Sequence, residues 1–133
     1  MRRLASDDIF ISYSRGDAAI YADGLADALA RKGFSVFIDR LGTEPSAEIP
    51  VSLLRKLLGA SMLVVVGSPC AIASEFVGRE VTEFAEGGRS ERIVPIGFGN
   101  AVGDASWFSM VEGIPIEQEV EAALETGDVA PRV

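Results

Sequence analysis

The chain has 133 residues, 48% of them hydrophobic, and a formal net charge of −8 with no histidine and one cysteine. This size and composition indicate one globular domain, and the excess of acidic residues argues against a nucleic-acid partner. Without histidine, the common zinc sites and histidine-based triads cannot be built, so we expect no metal site. No apolar run reaches membrane length and no signal segment is visible, so we expect a cytoplasmic protein with no membrane partner.

The first half of the chain alternates between strand and helix patterns. DDIFISYS is a β-rich run that ends in a turn, and FSVFID is a second strand. The segment between them predicts a helix with Asp17 as N-cap and Lys32-Gly33 as its stop. Its apolar residues recur at helical spacing and should face the core: Ile20, Leu25 and Leu29. A polar loop over 40–50 precedes the helical pattern VSLLRKLLGAS.

The second half repeats this alternation. MLVVVGS is apolar on both sides, as a central parallel strand would be. Ser68 and Pro69 suit the cap and first turn of the next helical segment, which runs on to Gly87-Gly88. RIVPIGF supplies a fourth strand, MVEGIPI a weak fifth, and EQEVEAALE a last helix.

This alternation predicts a flavodoxin-like three-layer α/β/α sandwich with a parallel five-stranded sheet in the order 2-1-3-4-5. We expect the domain to span residues 1–126 and residues 127–133 to form a linker-like tail. Ligands of such sheets bind beyond the carboxyl ends of the strands. Four segments should meet there: residues 13–17, 39–50, 68–80 and 97–104.

Glu80 is the unusual residue of the helix that contains SEFVGREVTEF. At about 100° per residue it falls roughly 40° from Phe76, on the apolar side of the helix. A carboxylate seldom lies on an apolar stripe unless a ligand or a partner requires it there. Glu80 is therefore a candidate functional residue, although the helical pattern alone favours the alternative of a side chain at the edge of the stripe that reaches water.

Phosphate-binding motifs are absent. There is no Walker A pattern, and GFGNAVG has the wrong glycine spacing for a dinucleotide fingerprint and follows the fourth strand. A phosphoryl-accepting receiver domain would need an aspartate at the end of the third strand, where this chain has Gly67 and Ser68. Cys70 lacks the histidine partner of a nucleophilic cysteine, so we expect it to be structural.

Four segments resemble TIR (Toll/interleukin-1 receptor) domains of bacterial type. DIFISYSRGD is similar to the first box of that family, FSVFIDR to its second strand, and RIVPIGF to its fourth. VVVGSPCAIASEFVGREV resembles the family segment S-P-x-Y-x-x-S-x-W-C-x-x-E-L. Ser68, Pro69, Ser74 and Glu80 match it, whereas Phe76 stands for the tryptophan. The polar loop 40–50 stands in the place of the BB loop.

The resemblance implies one of two functions. TIR domains of the NAD-cleaving group hydrolyse the nicotinamide–ribose bond and depend on the glutamate that Glu80 matches. We therefore expect a NAD+ glycohydrolase, with NAD+ as substrate and no cofactor, that gives nicotinamide and linear or cyclic ADP-ribose as the effector module of a defence signalling protein. The alternative is a non-catalytic scaffold. In both cases the loop 40–50 is expected to mediate association with other TIR domains.

By the same resemblance, Tyr13 and Arg15 face the nucleotide, and Phe76 lines the pocket wall beside Glu80. Asp39 closes the second strand, and the loop over the adenosine half carries two further candidates, Thr43 and Glu44.

Each of these residues has a plainer alternative or a complication. Arg15 could form a surface pair with Asp17, Asp39 could bind turn amides, and Phe76 could be ordinary core. Many relatives carry an aromatic residue where this chain has Gly97, with Phe98 next.

Overall fold

The computed structural model describes residues 8–38, 51–98 and 117–119. In chain order, the elements are β1 (Ile9–Ser12), α1 (Ala19–Arg31), β2 (Val36–Ile38), α2 (Val51–Gly59), β3 (Met62–Gly67), α3 (Pro69–Ala73), α4 (Glu75–Phe84), β4 (Ile93–Phe98) and β5 (Glu117–Glu119). No helix within these ranges is both long and apolar enough to span a bilayer.

The sheet is parallel throughout its described strands, and its order is β2-β1-β3-β4-β5. This arrangement confirms the predicted fold class. The order reverses after β1, because β2 lies on one side of β1 and β3 on the other. The carboxyl ends of β1 and β3 therefore flank the point at which α/β sheets of this kind bind ligands.

Apolar side chains pack on both faces of the sheet because successive strand residues point to opposite faces. On one face, α1 covers Ile9 and Ile11 of β1, and we call this group the α1-side cluster. On the other face, α2 and α4 cover Phe10, and we call this group the α4-side cluster. By the same alternation, Ser12 lies on the α4 side.

Helix α1 differs from the prediction in two respects. Its apolar face is formed by Tyr21, Ala22 and Leu25, whereas Ile20 is 57% exposed. The prediction for Ile20 was wrong because Tyr21 occupies the core position of that turn. The N-cap is Ala18 rather than Asp17, and no side chain caps the helix. The predicted stop is confirmed: Gly33 has a positive φ of 99° and donates to the carbonyl of Ala30.

The edge strand also differs from the prediction. β5 lies at Glu117–Glu119, directly after the segment MVEGIPI and within the segment predicted as the last helix. Pairing with Ile96–Phe98 of β4 outweighs the helical preference of Glu and Gln here. Residues 110–116 and 120–133, including the predicted tail, lie outside the described residues.

Candidate active site

The helix that carries Glu80 is fixed at its start and along its buried face. Ser74 caps α4 by accepting a hydrogen bond from the backbone N–H of Val77 at 3.1 Å. Val77, Val81 and Phe84 then pack into the α4-side cluster. Glu80 lies on the same stripe and is 3% exposed. The predicted position on the apolar side is confirmed, and the alternative in which the side chain reaches water is wrong.

Ser12 is the described partner of this carboxylate. Its hydroxyl donates to Glu80 Oε1 at 2.6 Å, and Ser12 itself is 1% exposed at the last position of β1. The distance is typical of a charge-assisted O–H···O⁻ bond. The bond fixes the carboxylate at the carboxyl end of a central strand. Glu80 therefore has a hydrogen-bond partner within the protein, which is one of the two reasons that its position on the apolar stripe suggested.

Sequence reasoning did not single out Ser12. The signal was present in the alternation of β1, since Ser12 lies two residues after Phe10 and so points to the same face. A polar residue there, opposite the apolar side of α4, would have identified a partner for Glu80. The pairing spans 68 positions in the sequence, so it is visible only once the two elements are packed together.

The neighbouring strand ends carry no side chain on this face. Gly67 of β3 and Gly97 of β4 are aligned in the sheet and both are buried. By alternation from Leu63 and Ile93, both lie on the α4 side. The carboxyl ends of three adjacent strands thus present only a serine hydroxyl and two glycines beneath α4. This is where the chain departs from relatives with an aromatic residue at position 97.

Phe98 does not replace that aromatic residue. It is 1% exposed and meets the ring of Tyr21 edge-on, with centroids 5.2 Å apart and an interplanar angle of 86°. Both rings belong to the α1-side cluster, on the other face of the sheet from Glu80. Phe98 is therefore a core residue and cannot stack on a ligand beside Glu80.

The other predicted site residues are placed as follows. Phe76 lies one turn before Glu80 and is half-buried against the α4-side cluster, so it contributes to the core and lies beside the carboxylate. Tyr13 is half-buried but packs against the α1-side cluster. Arg15 is exposed in the turn that follows. The three remaining candidates lie outside the described residues: Asp39, Thr43 and Glu44.

Asp17 has a different role from the predicted N-cap. Its carboxylate accepts the hydroxyl of Ser68 at 2.6 Å and the backbone N–H of Cys70 at 3.0 Å. These two bonds connect the turn after β1 to the start of α3. Ser68 in turn caps α3, as predicted, by accepting from the N–H of Ala71 at 3.3 Å.

The thiol of Cys70 is a poor nucleophile in this setting. Burial raises its pKa, and the neighbouring negative charge of Asp17 and a hydrogen bond to it raise the pKa further. The thiolate is the reactive form, so the reactivity of Cys70 is reduced at neutral pH. Across the described residues, no group of three His, Cys, Asp or Glu side chains is placed to hold a metal ion.

Comparison with known proteins identifies a family. A family model described as TIR domain matches residues 9–127. No curated protein matches the chain.

Solved TIR structures share the fold. The TIR domain of the Toll-related receptor TRR-2 from Hydra magnipapillata has a TM-score of 0.62 and 16% identity over 90% of each chain. The TIR domains of the activated Roq1 resistosome, which directly recognises the pathogen effector XopQ, have a TM-score of 0.61 and 20% sequence identity. The match covers 79% of this chain and 68% of that chain. A metazoan TIR-STING receptor from C. gigas has a TM-score of 0.61 and 20% sequence identity. The match covers 86% of this chain and 38% of that chain.

Proposed function

The chain belongs to the TIR domain family, whose model matches residues 9–127, and on that premise we propose that it is a NAD+ glycohydrolase with Glu80 as its catalytic carboxylate. Hydrolysis takes NAD+ and water to nicotinamide, ADP-ribose and a proton; in the cyclic outcome a nucleophile of the ADP-ribose part itself takes the place of water. No cofactor takes part. The activity would serve a defence signalling protein whose output is the loss of NAD+ or the appearance of its product.

The chemistry of this bond suits a site with one carboxylate. In NAD+ the nicotinamide ring is a cationic pyridinium, and it becomes a neutral molecule when its bond to the ribose breaks. No acid is therefore needed to protonate the leaving group. Positive charge develops instead on the ribose, which becomes oxocarbenium-like, as in glycoside cleavage. A fixed anion in a site with little water stabilises that charge more strongly than water does. The absence of histidine from the chain therefore does not impede this mechanism.

The observation that carries the proposal is the burial of Glu80 at the carboxyl end of β1. The carboxylate is 3% exposed, and Ser12 holds Oε1 at 2.6 Å. A carboxylate that accepts a hydrogen bond from a fixed hydroxyl is oriented by that bond. Gly67 and Gly97 add no side chain on that face of the neighbouring strands, which suits the approach of a ribose ring. Phe76, one turn earlier on α4, would line the wall beside the ring.

A second candidate function is assembly without catalysis, in which the domain binds other TIR domains as a scaffold. The burial of Phe98 against Tyr21 favours it, because no aromatic residue of β4 is left to stack on the substrate. One neighbour in structure consists of the TIR domains of an activated resistosome, and another, a TIR-STING receptor, is a longer chain of which 38% is covered. Under this proposal Glu80 and Ser12 would be a buried pair that stabilises the packing of α4 on β1.

One experiment separates the two functions. The purified chain at high concentration is incubated with NAD+, and free nicotinamide is measured by chromatography beside a sample without protein. Release above that background supports the glycohydrolase. A chain that self-associates in sedimentation but releases no nicotinamide at any concentration would be a scaffold. Analysis of the second product would distinguish linear from cyclic ADP-ribose.

A further inference from the structure

A single carboxylate joins two loops at the carboxyl edge of the sheet. Asp17 accepts a hydrogen bond on each of its oxygens, from the Ser68 hydroxyl at 2.6 Å and from the Cys70 N–H at 3.0 Å. Ser68 is fully buried, so its hydroxyl requires a partner within the protein. The two contacts therefore fix both the distance and the orientation of the turn after β1 relative to the start of α3.

The backbone of that turn lies very close to α3. A side chain at Gly16 would begin 3.1 Å from the sulfur of Cys70, which is tighter than most real contacts of a Cβ atom. Glycine at this position allows the turn to approach, and Asp17, the next residue, holds it there.

The two joined segments are those that carry the candidate site. The turn over residues 13–17 begins directly after Ser12 and contains Arg15. The other segment runs through α3 to Ser74, which caps α4 and so places Glu80. Ser12 is paired with Val65 of β3, so its position does not depend on this link alone. Among the described strands none pairs with the turn, which is held by the packing of Tyr13 on the α1-side cluster and by the two bonds of Asp17.

We propose that Asp17 is a positioning residue that clamps residues 13–17 to the start of α3 and so holds Arg15 at the substrate edge of the site. This inference rests on the proposed glycohydrolase function for its kinetic part. The clamp acts on binding: a released turn weakens the hold on the dinucleotide phosphates while the carboxylate of Glu80 stays in place.

The chemistry of the clamp offers a conservative variant. In Asp17→Asn the amide oxygen can accept from the Cys70 N–H, while the amide nitrogen can donate to the Ser68 oxygen, which reverses that bond and leaves the Ser68 O–H to turn to another acceptor. The clamp is kept but its charge is lost. Asp17→Ala removes both bonds. Asp27→Ala is the matched control, since Asp27 lies on the exposed side of α1 in a pair with Arg31 at 3.0 Å.

Steady-state kinetics with NAD+ test the binding role. Asp17→Ala should raise KM about tenfold or more and change kcat by less than about threefold. Asp17→Asn and Asp27→Ala should stay within about threefold of the wild type in both constants. A lowered kcat with an unchanged KM in Asp17→Ala would overturn the proposal, as would an Asp17→Asn variant as impaired as Asp17→Ala.

Two further measurements need no enzyme activity. Hydrogen exchange of the amides in residues 13–16 should accelerate in Asp17→Ala but not in Asp17→Asn. The Cys70 thiol should react several-fold faster with iodoacetamide at mildly alkaline pH in both Asp17 variants, because the charge of Asp17 helps to raise the pKa of the thiol. Asp27→Ala should change neither.

The outcomes separate the clamp from the proposed function. If the wild type releases no nicotinamide, the glycohydrolase fails, and the exchange of residues 13–16 alone decides the clamp. If Asp17→Ala does not fold, Ser68→Ala, which removes one of the two bonds to Asp17, takes its place in the exchange measurement. Unchanged exchange in a folded Asp17→Ala, or exchange as fast in Asp17→Asn as in Asp17→Ala, would overturn the clamp.

Discussion

The two faces of the sheet end differently at the carboxyl edge. On the α1 side, the last residue of β4 is Phe98, which closes the layer against Tyr21 with both rings fully buried. On the α4 side, the last residue of β1 is Ser12, which meets the carboxylate of Glu80. Both faces belong to the same sheet. The difference between them therefore comes from the alternation of side chains along each strand and from the helix that packs on each face. One face ends in packing that stabilises the fold, and the other ends in groups suited to chemistry.

The largest expected effect is on stability and lies on the α1 side. Phe98→Ala should lower the free energy of unfolding by about 3–5 kcal/mol, because it removes a buried ring and leaves a cavity beside Tyr21. Chemical denaturation monitored by circular dichroism measures it. Phe34→Ala is the control, since Phe34 is 45% exposed and its loss should cost well under about 1 kcal/mol. Similar values for the two variants would contradict the assigned core.

The next effect lies on the α4 side and concerns activity. Ser12→Ala removes the hydroxyl that orients Glu80 and should lower nicotinamide release about tenfold, the value of one hydrogen bond to a charged group. Ser12→Thr keeps a hydroxyl and should recover most of the rate. An alanine variant that is as active as the wild type would show that this hydrogen bond does not orient the carboxylate for catalysis.

A smaller effect concerns assembly. If the loop 40–50 docks on a neighbouring TIR domain and completes the site, activity per molecule should rise several-fold as protein concentration is raised about a hundredfold. The rate of nicotinamide release, divided by concentration, measures this. A rate strictly proportional to protein over that range would contradict it.

The smallest effect is expected at Cys70. Cys70→Ser keeps the backbone N–H that donates to Asp17, and the thiol, whose pKa is raised, has no nucleophilic role. Nicotinamide release should therefore stay within about twofold of the wild type. A folded but inactive variant would show that the sulfur itself takes part in the reaction.

The sequence was sufficient for the sheet order and for the side of α4 on which Glu80 lies. Both depend on local periodicity, which the chain shows clearly in β3 and in α4. The caps Ser68 and Ser74 were also visible, because a cap is defined within one turn of chain.

What the sequence could not give depends on contacts between distant segments. Asp17 has the side chain of an N-cap, but it bonds to Ser68 and Cys70, more than 50 positions away. Ile20 fitted the helical spacing as well as Tyr21 did, and only the packing of α1 on the sheet selects the larger ring. At Glu117–Glu119 the pairing with β4 gives a strand where a helix was predicted to begin. Local preference was overridden in each case by a tertiary contact.

The most direct test of the central claim compares Glu80→Gln with Glu83→Gln. Glutamine keeps the size of the side chain and an acceptor for the Ser12 hydroxyl but removes the charge, whereas Glu83 forms a surface pair with Arg79 at 3.4 Å. Nicotinamide release and melting temperature are measured for both variants and the wild type at matched concentration. We predict that Glu80→Gln loses about 10²-fold or more of its rate at an almost unchanged melting temperature, while Glu83→Gln keeps both. Equal rates for Glu80→Gln and the wild type would contradict a catalytic role for Glu80.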